Sequence, residues 1–96
     1  MKEIMTYKTG FDGNTDIGHF LKIKRYESYE DAKKAVEDAW DAYRPRFMEL
    51  EGRFIIHEYI RDDKDVMGYL HQLVVVYKGF ANIINLTVRP SLIVIN

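Results

Sequence analysis

The spacing of apolar positions changes several times along the chain, and each change marks an element. In "HFLKIKRY", residues 19–26, Leu21 and Ile23 alternate with Phe20, Lys22, Lys24 and Tyr26, the two-residue period of a half-buried strand. In "SYEDAKKAVEDAWDAY" the period lengthens, and Ala32, Ala35, Val36, Ala39, Trp40 and Tyr43 share one stripe of a helix. Ser28 can accept from first-turn amides, and Glu30 and Asp31 sit near the positive helix end. Pro45 lacks an amide hydrogen and crowds the carbonyl four residues back, which predicts an end near Tyr43 or a kink; Phe47 continues the stripe.

The opening "KEIMTYKTGF" is strand-like, and the "DGNTDIG" that follows is dense in turn formers. After Gly52 come three runs rich in β-branched and aromatic residues, at about residues 53–61, 69–78 and 82–88, with Pro90 before a last "SLIVIN" that reads as a sixth strand. The expectation is an α+β fold in ββαβββ order: one domain over residues 1–96, a mainly antiparallel sheet of four to six strands, and one principal helix on one face.

One stretch, "HEYIRDDKDVMGYLH", reads nearly alike from both ends. Antiparallel pairing about Lys64 would set His57 opposite His71, Tyr59 opposite Tyr69 and Ile55 opposite Leu73. The other face would then carry Phe54, Ile56, Ile60, Leu70, Val74 and Val76, and the helix stripe is predicted to cover it. A slip of one residue would turn one strand's pattern over.

Composition narrows the function classes. A chain of 96 residues supports one core. Its net charge of −1 provides no global attraction for nucleic acid, so only a local patch could serve that role. The absence of cysteine removes disulfides, thiolate metal sites and thiol nucleophiles together. No apolar run approaches the ~20 residues of a membrane span, and the start lacks a signal-peptide pattern, so the expected location is the cytoplasm, with no membrane partner.

Chemical motifs are sparse. "DGNTD", residues 12–16, starts like a calcium loop, but Ile17 and Ile23 stand where such a loop needs its glycine and bidentate acid. "KGFANIIN" follows the ribonucleoprotein order at Lys78, Gly79, Phe80, Ala81 and Ile83, yet Asn82 and Asn85 replace aromatics, and it reads as a turn between strands. Two facing histidines could approach a metal, but no further ligand converges on them. No nucleophile and base pair up, and no glycines have phosphate-loop spacing, so neither an enzyme nor a cofactor is expected.

What stands out is a surface. On the face away from the predicted core lie the cations Lys22, Lys24, Arg53 and Arg61. With them come Phe20, Tyr26, Tyr59, Tyr69, Tyr77, His57 and His71, while the acids gather on the helix and in loops. Ile55, Leu73 and Val75 share that face, which favours contact with protein. The expected function is a small cytoplasmic protein–protein interaction module, an inhibitor or adaptor, whose partner is another protein or a second copy. The alternative is binding of single-stranded nucleic acid, with aromatics stacking on bases and cations tracking phosphates.

Overall fold

Ser28 opens the helix as its chemistry requires: its backbone is extended and its Oγ accepts from the Asp31 amide at 3.1 Å. In the computed structural model, which describes residues 1–13, 16–49 and 51–96, helix α1 runs Tyr29–Met48. The strands are β1 (Lys2–Asp12), β2 (Arg25–Tyr26), β3 (Arg53–Asp63), β4 (Gly68–Tyr77) and β5 (Phe80–Ile95). They form one sheet in the order β2-β1-β5-β4-β3, antiparallel at every pairing, with the helix packed on one face. This is the expected α+β architecture and element order.

The helix does not stop at Pro45. Val36, Trp40, Tyr43 and Phe47 are all buried on one stripe. Burying a side chain such as Phe47 is worth about 1.5–3 kcal/mol, enough to hold the last turn although Pro45 offers Asp41 no hydrogen bond.

Two expected strands change form. Only Arg25 and Tyr26 of the 19–26 run pair with β1, opposite Lys8 and Tyr7. Upstream, a 3-10 turn spans Ile17–His19, and Thr9 replaces the ladder: its Oγ1 donates to the Lys22 carbonyl at 2.8 Å and accepts from the Lys24 amide at 3.2 Å. Leu21 enters the core at 2% exposure while Ile23 remains 56% exposed, so the alternation breaks after Leu21. At the other end, "SLIVIN" is no separate strand; β5 runs through Pro90, pairing with β1 from Asp12↔Asn85 to Lys2↔Ile95. Pro90 is tolerated because pairing with β4 ends at Tyr69↔Val88, which leaves β5 a neighbour on one side only.

The β3–β4 hairpin corrects the palindrome. The turn spans Lys64–Met67, with Met67 at φ 51 and the Asp63 carboxylate accepting from the Asp65 amide. Its centre lies beyond Lys64, so His57 faces Val74 and His71 faces Ile60. A bulge between Ile55 and His57 then shifts the register again.

As a result the helix covers the face of β4 opposite to the one predicted, while Ile60 of β3 stays on the helix side. Tyr69, His71, Leu73 and Val75 lie beneath it, and Val74 and Val76 point away. Strand β4 is apolar on both faces and cannot decide this alone. Its neighbour decides: Ile84, Leu86 and Val88 of β5 are apolar on one face, against Ile83, Asn85 and Thr87 on the other. They pair with Leu73, His71 and Tyr69, which commits that side to the core.

Candidate functional site

The eleven residues singled out from the sequence are distributed among four places. Tyr69 and His71 are core, 4% and 3% exposed; burial raises the Tyr69 hydroxyl pKa. His71 donates from Nε2 to Glu58 Oε1 at 2.7 Å, under the edge of Trp40. Phe20, Lys22, Lys24 and Tyr26 line a shallow concavity against the outer side of the helix, with Ala35 and Asp38. Arg53 and Tyr77 sit at the far end of the helix, where the Arg53 guanidinium lies 4.4 Å from the Tyr77 ring and 5.3 Å from Phe47. Lys78, and then Arg53, lower the Tyr77 hydroxyl from its ordinary value.

Only His57, Tyr59 and Arg61 lie on the helix-free face. The continuous basic and aromatic surface is therefore not assembled. The physical cause is the hairpin register: moving the turn centre turned β4 over relative to β3, so Tyr69 and His71 enter the core while His57, Tyr59 and Arg61 stay outside, and the bulge sends Arg53 to the helix side with Tyr77.

What the helix-free face carries instead follows row by row from the pairings. Phe54, Val76 and Ala81 form one row, and His57, Val74 and Ile83 the next. A polar row of Tyr59, Gln72, Asn85 and Asp12 follows, then Arg61, Leu70, Thr87 and Gly10. Gln72 Nε2 donates to Asn85 Oδ1 at 3.0 Å, which fixes the centre of the polar row. Phe54 and Ile83 are 48% and 56% exposed, and Val74 and Val76 are half-buried by their neighbours.

Antiparallel sheets with one solvated face alternate apolar-in and polar-out. This one departs from that rule in the two rows Phe54–Val76–Ala81 and His57–Val74–Ile83, where the helix-free face is mostly apolar as well. The sequence pattern groups Phe54, Val74 and Val76 as an apolar set but assigns them to the core, and it marks Ile83 only as a position of "KGFANIIN". The signal that would have placed them outside is the one-sided pattern of β5.

Farther along the same face Arg25, Lys8 and Arg89 stand side by side on β2, β1 and β5. The Arg25 guanidinium reaches past Lys8 to donate to Thr6 Oγ1 and to Ser91 Oγ. The opposite edge of the sheet is tied to the helix by Asp62, which accepts from Lys33 Nζ at 2.7 Å and from Tyr29 Oη at 2.5 Å. Lys33 foremost, then Tyr29, hold the Asp62 carboxyl below the ordinary carboxylate range. Burial and Asp62 together push the Tyr29 hydroxyl far above its usual value.

Among the described residues no cluster of three or more His, Asp or Glu is placed to hold a metal ion, and no helix is long and apolar enough to cross a membrane. No family model, curated protein or solved structure matches this chain.

Proposed function

We propose that this protein is a cytoplasmic protein–protein interaction module, an adaptor or inhibitor, that docks a partner on the helix-free sheet face. The observation that carries this reading is the apolar set Phe54, Val74, Val76 and Ile83, which alternates with core residues yet has no layer over it among the described residues.

Size sets the kind of contact. Three strands at ~4.8 Å spacing and about five residues at ~3.4 Å cover only about 240 Å², against roughly 800 Å² per partner in a standard stable complex. The partner therefore has to extend beyond the apolar rows, over Tyr59, Gln72 and Asn85 and onto Arg61 of the edge strand. That gives an apolar centre with a hydrogen-bonding rim, the usual anatomy of a non-obligate interface. The partner surface it fits is apolar at its middle and carries amide or hydroxyl groups on one side.

The nucleic-acid alternative draws less support. Stacking needs exposed rings, and Tyr69 is in the core while Tyr26 and Tyr77 lie on the helix side of the sheet. The cationic row of Arg25, Lys8 and Arg89 contains no aromatic residue.

The test is affinity capture from cells of the source organism, with wild type and a Val74→Lys, Ile83→Lys double variant as parallel baits, circular dichroism confirming both are folded. Proteins held by wild type and lost from the variant support the reading. An identical set on both baits overturns it. Salt-sensitive binding of labelled single-stranded RNA by wild type, reduced by Lys8→Ala with Arg89→Ala, would favour the alternative.

A further inference from the structure

Pairing between β1 and β5 continues to Lys2↔Ile95, but β4 stops alongside Val88 and β2 alongside Tyr7. The remainder is a two-stranded arm projecting from the body. The molecule accordingly measures 53 × 25 × 18 Å with a radius of gyration of 14.9 Å, where a compact chain of this length has about 12.5 Å. A bare two-stranded ribbon is marginal in water. This one also exposes apolar side chains, with Met5, Leu92, Val94 and Ile95 each 46–53% exposed.

We infer that two copies of this chain pair through the free edge of β5, antiparallel over Ser91–Ile95, about a twofold axis at Ile93. Strand edges open to solvent are usually guarded by charge. The outer edge strand β3 carries Arg53, Glu58, Arg61 and Asp63, and β1 carries Lys2 and Glu3 on the arm. The run Ser91–Ile95 has no charge, no proline and no glycine. Pro90 marks the root of this run, and its centre is Ile93.

Three features make a second copy the occupant. First, an antiparallel run of one strand against itself is self-complementary: Ile93 meets Ile93 of the other copy, and Leu92 meets Val94. Second, the lane beside this edge is the prolongation of β4. An antiparallel partner strand carries its body away from β4, whereas a parallel one would drive its body into β4 and β3. Third, β1 flanks β5, so the second copy's β1 falls in the lane of β3. Its Lys2 then approaches the hairpin end of β3 and β4, where Asp63 closes β3 and Asp65 lies in the turn. At the step where β4 ends lies an open concavity of about 430 Å³, with Val66, Leu70 and Val88 beside Arg61, Asp63 and Arg89, next to where the end of the incoming strand would fall.

The product is a four-stranded arm, β1-β5-β5-β1, that closes both free β5 edges and leaves the helix-free face of each body open. The inference does not depend on the docking role of that face.

Sedimentation and light scattering of the full chain across a concentration series test it, on wild type, Ile93→Lys and Ile83→Lys, with far-UV circular dichroism as the fold control. Because the chain has no native cysteine, Ile93→Cys and Ile83→Cys give single-site cross-linking. The expected results are a wild-type dimer, loss of the dimer in Ile93→Lys, where two ammonium groups face each other at the axis, and no effect of Ile83→Lys. Mild oxidation should link Ile93→Cys into covalent dimers and leave Ile83→Cys monomeric; this arm decides the matter if Ile93→Lys does not fold. A wild-type monomer at every concentration, or aggregates that grow without limit, overturns the proposal. So does a dimer dissolved by Ile83→Lys and not by Ile93→Lys, which would place self-association on the sheet face.

Discussion

His57 and His71 lie on opposite faces of the sheet. His71 is sealed under Trp40 and bonded to Glu58 at 2.7 Å, while His57 stands exposed beside Val74 on the helix-free side. The near-palindrome around the hairpin therefore does not bring two imidazoles together. It places one in the core, with a carboxylate to satisfy it, and leaves the other at the margin of the candidate docking face.

The His71–Glu58 pair makes a prediction about coupling. Nδ1 of His71 is buried with no hydrogen-bond partner, so Nε2 carries the imidazole's one satisfied polar contact among the described residues. Glu58→Ala should cost about 1–3 kcal/mol by orphaning that nitrogen. Replacing both, as His71→Leu with Glu58→Ala, should cost less than the two single changes summed. Urea unfolding of the four proteins measures this, and strict additivity would mean that the bond contributes nothing.

Acid should weaken the contact between the helix and the edge strand. The Asp62 carboxyl is held below its ordinary value by Lys33 and then Tyr29, so the folded state binds its proton less readily than the unfolded chain does. Its contribution is present above the unfolded carboxylate pKa of about 3.9 and fades as pH falls through the lower folded value. Asp62→Asn should lose about 1–2 kcal/mol at neutral pH. It should also show a shallower stability decline than wild type below about pH 4. Parallel acid profiles for the two proteins would refute the assignment.

Pro45 is a local cost that the stripe tolerates. Pro45→Ala restores an amide donor for Asp41 and removes the ring clash while Tyr43 and Phe47 stay buried. Thermal unfolding should show a gain of about 1–3 kcal/mol. A loss would mean that the proline is needed for the geometry of the last turn. By contrast Ser28→Ala, which removes the cap on Asp31, should cost about 1 kcal/mol.

Much of the fold was legible in the sequence because each element carried its own local instruction. Ser28, the 3.6-residue stripe and the turn formers gave the helix and the order of strands. What was not legible was the choice of face. In "LVVVY" every residue is apolar or aromatic, so β4 states no preference, and the hairpin centre shifts if Met67 adopts its positive φ. The symmetry of His and Tyr about the turn suggested a pairing that the neighbouring strand overrules. The lost strand at residues 19–26 has a similar origin: Thr9, far away in sequence, takes up the polar backbone groups that a ladder would have used. Candidate site residues depended on the face, and so followed its error.

Val74 and Val75 are chemically identical neighbours on one strand that face opposite ways, Val75 into the core and Val74 onto the open sheet face. The most direct measurement is equilibrium unfolding of Val74→Lys beside Val75→Lys. Val75 is 3% exposed beneath the helix, so a lysine there should cost at least about 3 kcal/mol or prevent folding. Val74 faces the open side, and a lysine there should change stability by less than about 1 kcal/mol. The reverse order would put the helix over the Phe54, Val74 and Val76 face, and the docking surface proposed for it would not exist.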